Sequence, residues 1–408
     1  MARAFRFTKA AISHVVQGSP TSSQDEIDHR MSICRRCEYF TGATCLKCGC
    51  LVNSRAFLNK LAWRDQDCPI GRWEQEPRFW PALSESQLPD VVLVFPSGMS
   101  ELWLETRGRQ VVDLLNDNGI PAAMALVQET SVQQVAKVLE LSRARVLINR
   151  AFIVDWQVID ELADRYRGTK FVSVNHSSHA YTQASDGWIR QQSETIRLAQ
   201  ERDNVLFGHV DERGIFSELG LANCLWFPNV VTESSSEPQE INVEDPLVSL
   251  TGRWQLIKNQ LQQLMAIKLA GMRALVVMKN KERVASLFAD SINLDHQVHR
   301  WGTWTEWNEL ISGRVAIGAQ ASFSESFNYV ALEHMLQGRP VLGSSAIRYL
   351  PARWQADPDD VSDMARVLRE IQADYRDNSL EARAIAEEVK KSNNEAALEV
   401  ISGLIMRR

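Results

Sequence analysis

The sequence predicts an α/β protein with two parallel-sheet domains facing a cleft, preceded by a small cysteine-rich, zinc-binding module. Three observations predict it. Short apolar runs alternate with helix-periodic stretches in two successive tracts. A polar, acidic segment with two prolines, residues 232–246, separates those tracts. Five of the seven cysteines fall within residues 33–50. With 408 residues the chain is also too long for one hydrophobic core.

Composition narrows the class. Apolar residues make up 45% and charged residues 24%, both globular values. No apolar run approaches the ~20 residues that a membrane span requires. The N-terminal "MARAFRFTKAAISHVVQGSP" is basic, and its apolar part is short and holds a histidine. That pattern argues against a secretory signal and for a cytoplasmic protein with reduced thiols. The net charge of −6 is uneven. Residues 1–80 hold 12 Lys/Arg against 8 Asp/Glu, and the remainder holds 33 against 43. A front end of this sign suits an anionic partner such as nucleic acid.

After an extension over residues 1–27, the module is expected over 28–80. Its cysteines are Cys34, Cys37, Cys45, Cys48, Cys50 and Cys68, spaced C-x2-C-x7-C-x2-C-x-C-x17-C. Two C-x2-C knuckles offer four thiolates to one tetrahedral ion, and zinc suits soft thiolates. Six ligands exceed what one zinc takes, so either two cysteines are spare or two ions share thiolates. Buried thiols, disulfides and an iron–sulfur cluster are the competing readings. His29 is a substitute ligand or a surface residue. So small a segment buries little core, so a metal would supply its folding energy. With its trailing "CPIGRW", the stretch 28–74 resembles a short cysteine-rich module found at the front of some bacteriophage proteins.

The proline-bearing "EQEPRFWPALSESQLP" reads as a linker. The first α/β domain is expected over 88–232. "DVVLVFP" is a short apolar run and hence a buried strand, and "WLETRGRQVVDLLNDNG" has helical periodicity ending at Gly119. "PAAMALV", "RVLINRA" and "KFVSVNH" are strands; "SVQQVAKVLELS" and "DWQVIDELADRYRG" are the helices between them. The alternation thins after residue 205. The second domain is expected over 243–379, with "LVSLTGR", "RALVVM", "RVAIGAQ" and "RPVLGS" as strands. "NQLQQLMAIKLAG" and "NYVALEHMLQG" are its helices, and 380–408 is a helical tail. This strand–helix order implies parallel sheets covered on both faces, with ligands at the carboxyl ends of the strands.

The sharpest local signal is "SESFNYVALEHMLQGRPVLGS", residues 324–344. Glu325 precedes a helix and Glu333 lies inside it, so both carboxylates can face one ligand at the helix N-terminus. Free N–H groups at Ser326, Phe327 and Asn328 would suit a phosphate there. The stretch resembles the E-x7-E motif of retaining, nucleotide-sugar-using glycosyltransferases of the GT-B fold, which have two Rossmann-like domains. "LVSLTGRWQLIKNQ" resembles the first strand of that family's second domain. The resemblance implies that Arg253 and Lys258 hold the donor diphosphate, Glu325 the sugar hydroxyls and Glu333 the ribose. It also implies that His176 in "SVNHSSH" sits on the sugar side, with His179 as the lesser candidate. Gly98 in "FPSGMSE" would let backbone approach the ligand. "FPNVV" resembles the strand end before the hinge. Asn328 departs from the family's glycine. Trp301, Trp304 and Trp307 fall near the expected nucleobase pocket, or form a helical core stripe.

The activity so implied is transfer of a sugar from a nucleoside-diphosphate sugar to an acceptor hydroxyl. No catalytic divalent ion is expected while those cations are present. The favoured acceptor is a hydroxymethylated base of phage DNA, with Arg35, Arg36, Lys47 and Trp63 or Trp73 of the module lying on the phosphate backbone. The alternatives are a protein or surface-glycan acceptor with the module as a docking tag, or a GT-B scaffold without activity.

Overall fold

Parallel strands buried on both faces dominate the chain, as the continuous apolar runs require. The computed structural model describes residues 10–11, 14–15, 21–22, 24–47, 49, 59–63, 66–70, 76–84, 88–99, 104–210, 215–231, 239–279, 281–300 and 302–406. Two compact units emerge. The first comprises Met1–Met99, Pro121–Ile148 and Ile153–Thr169; the second comprises Ser100–Ile120, Asn149–Phe152 and Lys170–Arg408.

In the first unit the helix Gln24–Arg35 packs through Arg30, which is fully buried and donates to the carbonyls of Leu61 and Trp63 at 3.1 Å each. Cys45, Leu61 and Cys68 form a small core, with Cys34, Tyr39 and Ile70 packed against it. Strands β1 (Arg78–Trp80), β2 (Val91–Pro96), β3 (Ala122–Val127) and β4 (Val146–Arg150) follow. β2 runs parallel to β3 and β4, while β1 runs antiparallel to β3, with Phe79 opposite Ala125. The stretch read as a linker therefore contains an edge strand. Pro77 and Pro81 flank its three residues, and proline is tolerated at a sheet edge. The helix Val132–Ser142 starts on Ser131, and Trp156–Arg165 starts on Asp155, each through a side-chain cap.

The second unit begins with a π-turn, Glu105–Arg109, leading into the helix Gln110–Asp117. Strands β5 (Lys170–Asn175), β6 (Val205–His209) and β7 (Cys224–Trp226) are parallel. The region where the alternation thins thus holds two strands, the second only three residues long. The strand order of the first sheet is β1-β3-β2-β4-β5-β6-β7.

The second sheet comprises β8 (Leu247–Arg253), β9 (Arg273–Lys279), β10 (His296–Arg300), β11 (Ile317–Gln320) and β12 (Val341–Gly343), ordered β10-β9-β8-β11-β12 and wholly parallel. Its core joins Val248, Leu250, Val276 and Ile317 to Leu332, Leu368 and Ala386 of the covering helices. The tail is one helix, Tyr375–Met406. Among the described residues no helix is long and apolar enough to cross a membrane.

The Gly338–Val341 turn depends on glycine. Gly338 has φ +66°, and a Cβ there would lie 3.1 Å from Ser379 Oγ, which donates to the Gly338 carbonyl. Gly338→Ala is expected to lower stability by about 1–3 kcal/mol, the cost of an L-residue in that region. Urea titration of the full chain checks it; unchanged stability would show that the turn tolerates a side chain.

Candidate functional site

The pocket of interest lies in the second unit, at the carboxyl ends of β5 and β8 and in the loop before the helix Tyr329–Leu336. It encloses about 260 Å³, lined among others by Arg107, His176, Arg253, Lys258, Glu325 and Ser326.

Its base is set by the end of β8. Gly252, at φ +147°, turns the chain so that Arg253 projects outward, exposed. A 3-10 turn, Leu256–Lys258, follows. Gln263 Nε2 holds the Lys258 carbonyl at 2.7 Å, and the Ile257 carbonyl accepts from the Phe323 amide at 2.8 Å. Asn259 Nδ2 bonds the Ala321 carbonyl, so the loops after β8 and β11 are tied together. That tie brings Lys258 Nζ onto Glu325 Oε1 in an ion pair whose carboxylate side chain is only 6% exposed.

Asn328 organises the acidic side. Its Oδ1 accepts from the Ala331 amide at 2.9 Å, capping the helix. Its Nδ2 donates to Gln320 Oε1 at 3.1 Å and to Glu325 Oε1 at 3.0 Å. The helix therefore begins at Tyr329, later than expected. Ser326, Phe327 and Asn328 form the loop ahead of it, and the polar cap residue is what delays the start. Ser326 Oγ donates to the His176 carbonyl at 2.5 Å, tying this loop to the end of β5.

Glu333 does not line the pocket. It is 8% exposed, accepts from Trp307 Nε1 at 2.6 Å and feels the charge of Arg107. Burial dominates and pushes its carboxyl up to about 8. Trp307 thus binds the motif's second carboxylate from the helix Trp304–Arg314, while Trp301 lies outside the described residues. His334 is structural. Its Nδ1 meets the Val330 carbonyl and its Nε2 meets Ser249 Oγ, and burial lowers it to about 4.

Gly98 lies in the first unit, in an exposed turn after β2. A Cβ there would meet nothing within 4 Å, and its φ lies outside the left-handed region, so the position makes no demand for glycine. His179 is exposed and stacks on His209 with ring centroids 4.7 Å apart.

Four residues of the site had no role assigned from sequence. Arg107 stacks over the Tyr329 ring at 4.0 Å and donates to Asn229 Oδ1 at 3.2 Å. Arg150, fully buried, donates to the same oxygen at 3.2 Å. Tyr329 OH donates to the Val230 carbonyl at 3.1 Å. The one available signal was position: Arg150 ends β4, and strand carboxyl ends are where ligands bind. Ala151 and Phe152, just beyond it, have φ +56° and +52°. Two consecutive non-glycine residues in that region, with Ala151 on the pocket wall, are costly, and such strain clusters at functional sites.

Within the module, Trp63 is 3% exposed and stacked on His14, so it is no platform for nucleic acid; Trp73 lies outside the described residues. His29, Arg35 and Arg36 are exposed, and Lys47 sits over the Tyr39 ring at 4.3 Å. Cys34 and Cys37 are half-buried and Cys45 and Cys68 are buried, while Cys48 and Cys50 lie outside the described residues. Among the described residues no three His, Cys, Asp or Glu side chains are gathered as a metal site.

Comparison with known proteins defines the fold. No family model and no curated protein matches the chain. Among solved structures, a sucrose-phosphate synthase from Thermosynechococcus elongatus is similar, with TM-score 0.62 and 14% identity over 79% of this chain and 98% of that one. A UDP-forming α,α-trehalose-phosphate synthase from Burkholderia xenovorans has TM-score 0.55 and 10% identity, over 78% of this chain and 99% of that one. An E. coli trehalose-6-phosphate protein bound to UDP-2-fluoro glucose has TM-score 0.57 and 10% identity, over 78% and 99%. These likenesses establish the fold, which is GT-B.

The raised pKa of Glu333 has a testable sign. Its folded value of about 8 exceeds the ordinary 4.5, so between these pH values the folded chain holds a proton that the unfolded chain has lost. Its contribution to stability is therefore greatest below about pH 4.5 and falls as pH rises through 8. Glu333→Gln should match wild type near pH 5 and become more stable than it by about 2–4 kcal/mol above pH 8. Denaturant melts across pH check this; parallel profiles for the two proteins would show that Glu333 ionises normally.

Proposed function

We propose that the chain is a glycosyltransferase that moves a sugar from a nucleoside-diphosphate sugar to an acceptor hydroxyl, with retention. The observation that carries this reading is the pocket on a GT-B fold where Arg253, Lys258 and Arg107 outnumber the single lining carboxylate, Glu325. Such a surplus suits a leaving diphosphate. The UDP-2-fluoro glucose held by one structural neighbour favours a UDP-sugar donor.

In this reading the acceptor oxygen forms a bond to the sugar C1 as the C1–O bond to the diphosphate breaks. The acceptor proton passes to the departing diphosphate oxygen on the same face. Negative charge grows on the diphosphate, where Arg253 and Lys258 stabilise it. Lys258 and Glu325 neutralise one another until the donor arrives. The diphosphate then draws the ammonium, which frees Glu325 to accept from sugar hydroxyls. Ser326 and Phe327 line the donor side, while Glu333, held by Trp307 outside the lining, takes no part in this step.

For the acceptor we favour a hydroxymethylated base in phage DNA, supported by the basic balance of residues 1–80 and the exposed Arg35 and Arg36. Sugar transfer should then require a hydroxyl on the base, and binding should weaken steeply with salt. Transfer to a protein or glycan, with no DNA binding at low salt, would assign the module to protein docking instead. For the module itself we propose structural zinc on thiolates drawn from Cys34, Cys37, Cys45, Cys48, Cys50 and Cys68. The two C-x2-C spacings support that chemistry, although the described thiols of Cys34, Cys45 and Cys68 share only an apolar cluster and are not gathered as a metal site. Purified protein should contain one or two zinc ions per chain by elemental analysis. A metal-free, folded module would end this part of the reading.

The donor assignment is tested by nucleotide release from UDP-glucose. Arg253→Ala and Lys258→Ala should each lower kcat by about 10²–10³. Wild-type turnover in both variants would overturn the assignment.

A further inference from the structure

Among the described residues, Arg150 is an unusual buried cation. It is fully buried at the end of β4, and its bonds go to neutral acceptors rather than to a carboxylate. Nε donates to His176 Nε2 at 2.8 Å, Nη2 to Asn229 Oδ1 at 3.2 Å and Nη1 to the Arg107 carbonyl at 3.5 Å. A guanidinium has donors and no acceptor, so His176 Nε2 must offer its lone pair. The ring proton of neutral His176 then sits on Nδ1. That atom is buried and has no hydrogen-bond partner in bonding geometry, although Asn229 lies beside the ring. His176 lines the pocket, and its carbonyl is held by Ser326 of the Glu325 loop.

We propose that Arg150 is a positioning residue that locks His176 in the neutral Nδ1–H tautomer, so that its Nε2 lone pair is occupied and His176 never acts as a general base toward a ligand in the pocket. The proposal rests on the reading that the pocket holds a nucleotide sugar. Protonating His176 would set two N–H groups, Nε2 and Arg150 Nε, against each other. The other charged and titratable groups around the ring act in the same direction. Burial above all holds His176 well below its ordinary value, Arg150, Arg107 on the π-turn and His209 on β6 add to it, and only the Asn229 side chain opposes. A ring nitrogen whose lone pair is engaged by a guanidinium cannot take up a proton, which is what a general base must do.

Long-range ¹H–¹⁵N correlation on the full-length, histidine-labelled protein tests this, with the His176 signals assigned from His176→Gln. The expected spectrum is that of a neutral Nδ1–H ring, unchanged between about pH 5 and 8. An Nε2–H ring, or titration within that window, would overturn the proposal. In Arg150→Met, which removes both donor and charge, His176 should begin to titrate in that window, and kcat on UDP-glucose should fall about tenfold or more. Arg150→Lys, which keeps a donor and a charge, should restore the tautomer and much of the rate. If Arg150→Met left both the tautomer and the pH profile unaltered, Arg150 would not be the lock. If that variant failed to fold, the wild-type spectrum would still decide the tautomer. The spectra need no sugar substrate, so the lock and the transferase reading fail separately. A locked His176 in a protein that neither binds nor turns over nucleotide sugars would refute the transferase reading and leave the tautomer lock standing.

Discussion

The side chain of Asn328 is the constraint on which the site depends. One amide group starts the helix Tyr329–Leu336 through Ala331, braces Gln320 at the end of β11 and holds Glu325 toward Lys258. A glycine at this position would leave Glu325 with one fewer donor and the helix without its cap. The loop it organises then reaches β5 through Ser326, so the carboxylate, the ammonium and His176 converge on one pocket. The local rule that asparagine favours helix N-caps is thereby used to place a charged pair.

Electrostatics of the site follow from burial as much as from composition. The chain is acidic overall, with net charge −6. Its pocket is nevertheless cationic, because Glu333 is drawn out of the lining and held by Trp307, while Arg107 and Arg253 remain in it. Arg150 lies deeper, sharing Asn229 Oδ1 with Arg107. Two guanidinium groups on one neutral oxygen carry a repulsion that an incoming anion would relieve. An anionic ligand in such a pocket lowers the energy of cations already fixed in place, which is the physical content of electrostatic preorganisation.

The cysteine-rich front end follows a different logic. Among its described residues a small apolar core joins Cys45, Leu61 and Cys68, with a rim of half-buried neighbours. Arg30 anchors it, spanning to the carbonyls of Leu61 and Trp63 and lying 4.0 Å from Glu76.

By itself, the sequence determined which stretches are strands and helices wherever periodicity was strong, the parallel character of both sheets and the fold class. Those properties are local or nearly so: an apolar run long enough for a strand, a helix-length period beside it and a polar break between tracts. It was silent on β6, β7 and β10, the first two because runs of five and three residues lie where the alternation thins, and the third because only part of its short length is covered. It also read β1 as linker, since pairing with the edge of β3 cannot be seen within three residues flanked by prolines. Only the tertiary structure decided that the E-x7-E carboxylates part company, Glu325 to Lys258 and Glu333 to Trp307. It alone joined Arg107, Arg150, His176, Asn229 and Tyr329, which come from five separate stretches of the chain. The reason is geometric. Parallel strands return the chain to the same edge at intervals of tens of residues, so residues remote in sequence meet at the carboxyl ends of the strands, and no local pattern records which of them will touch.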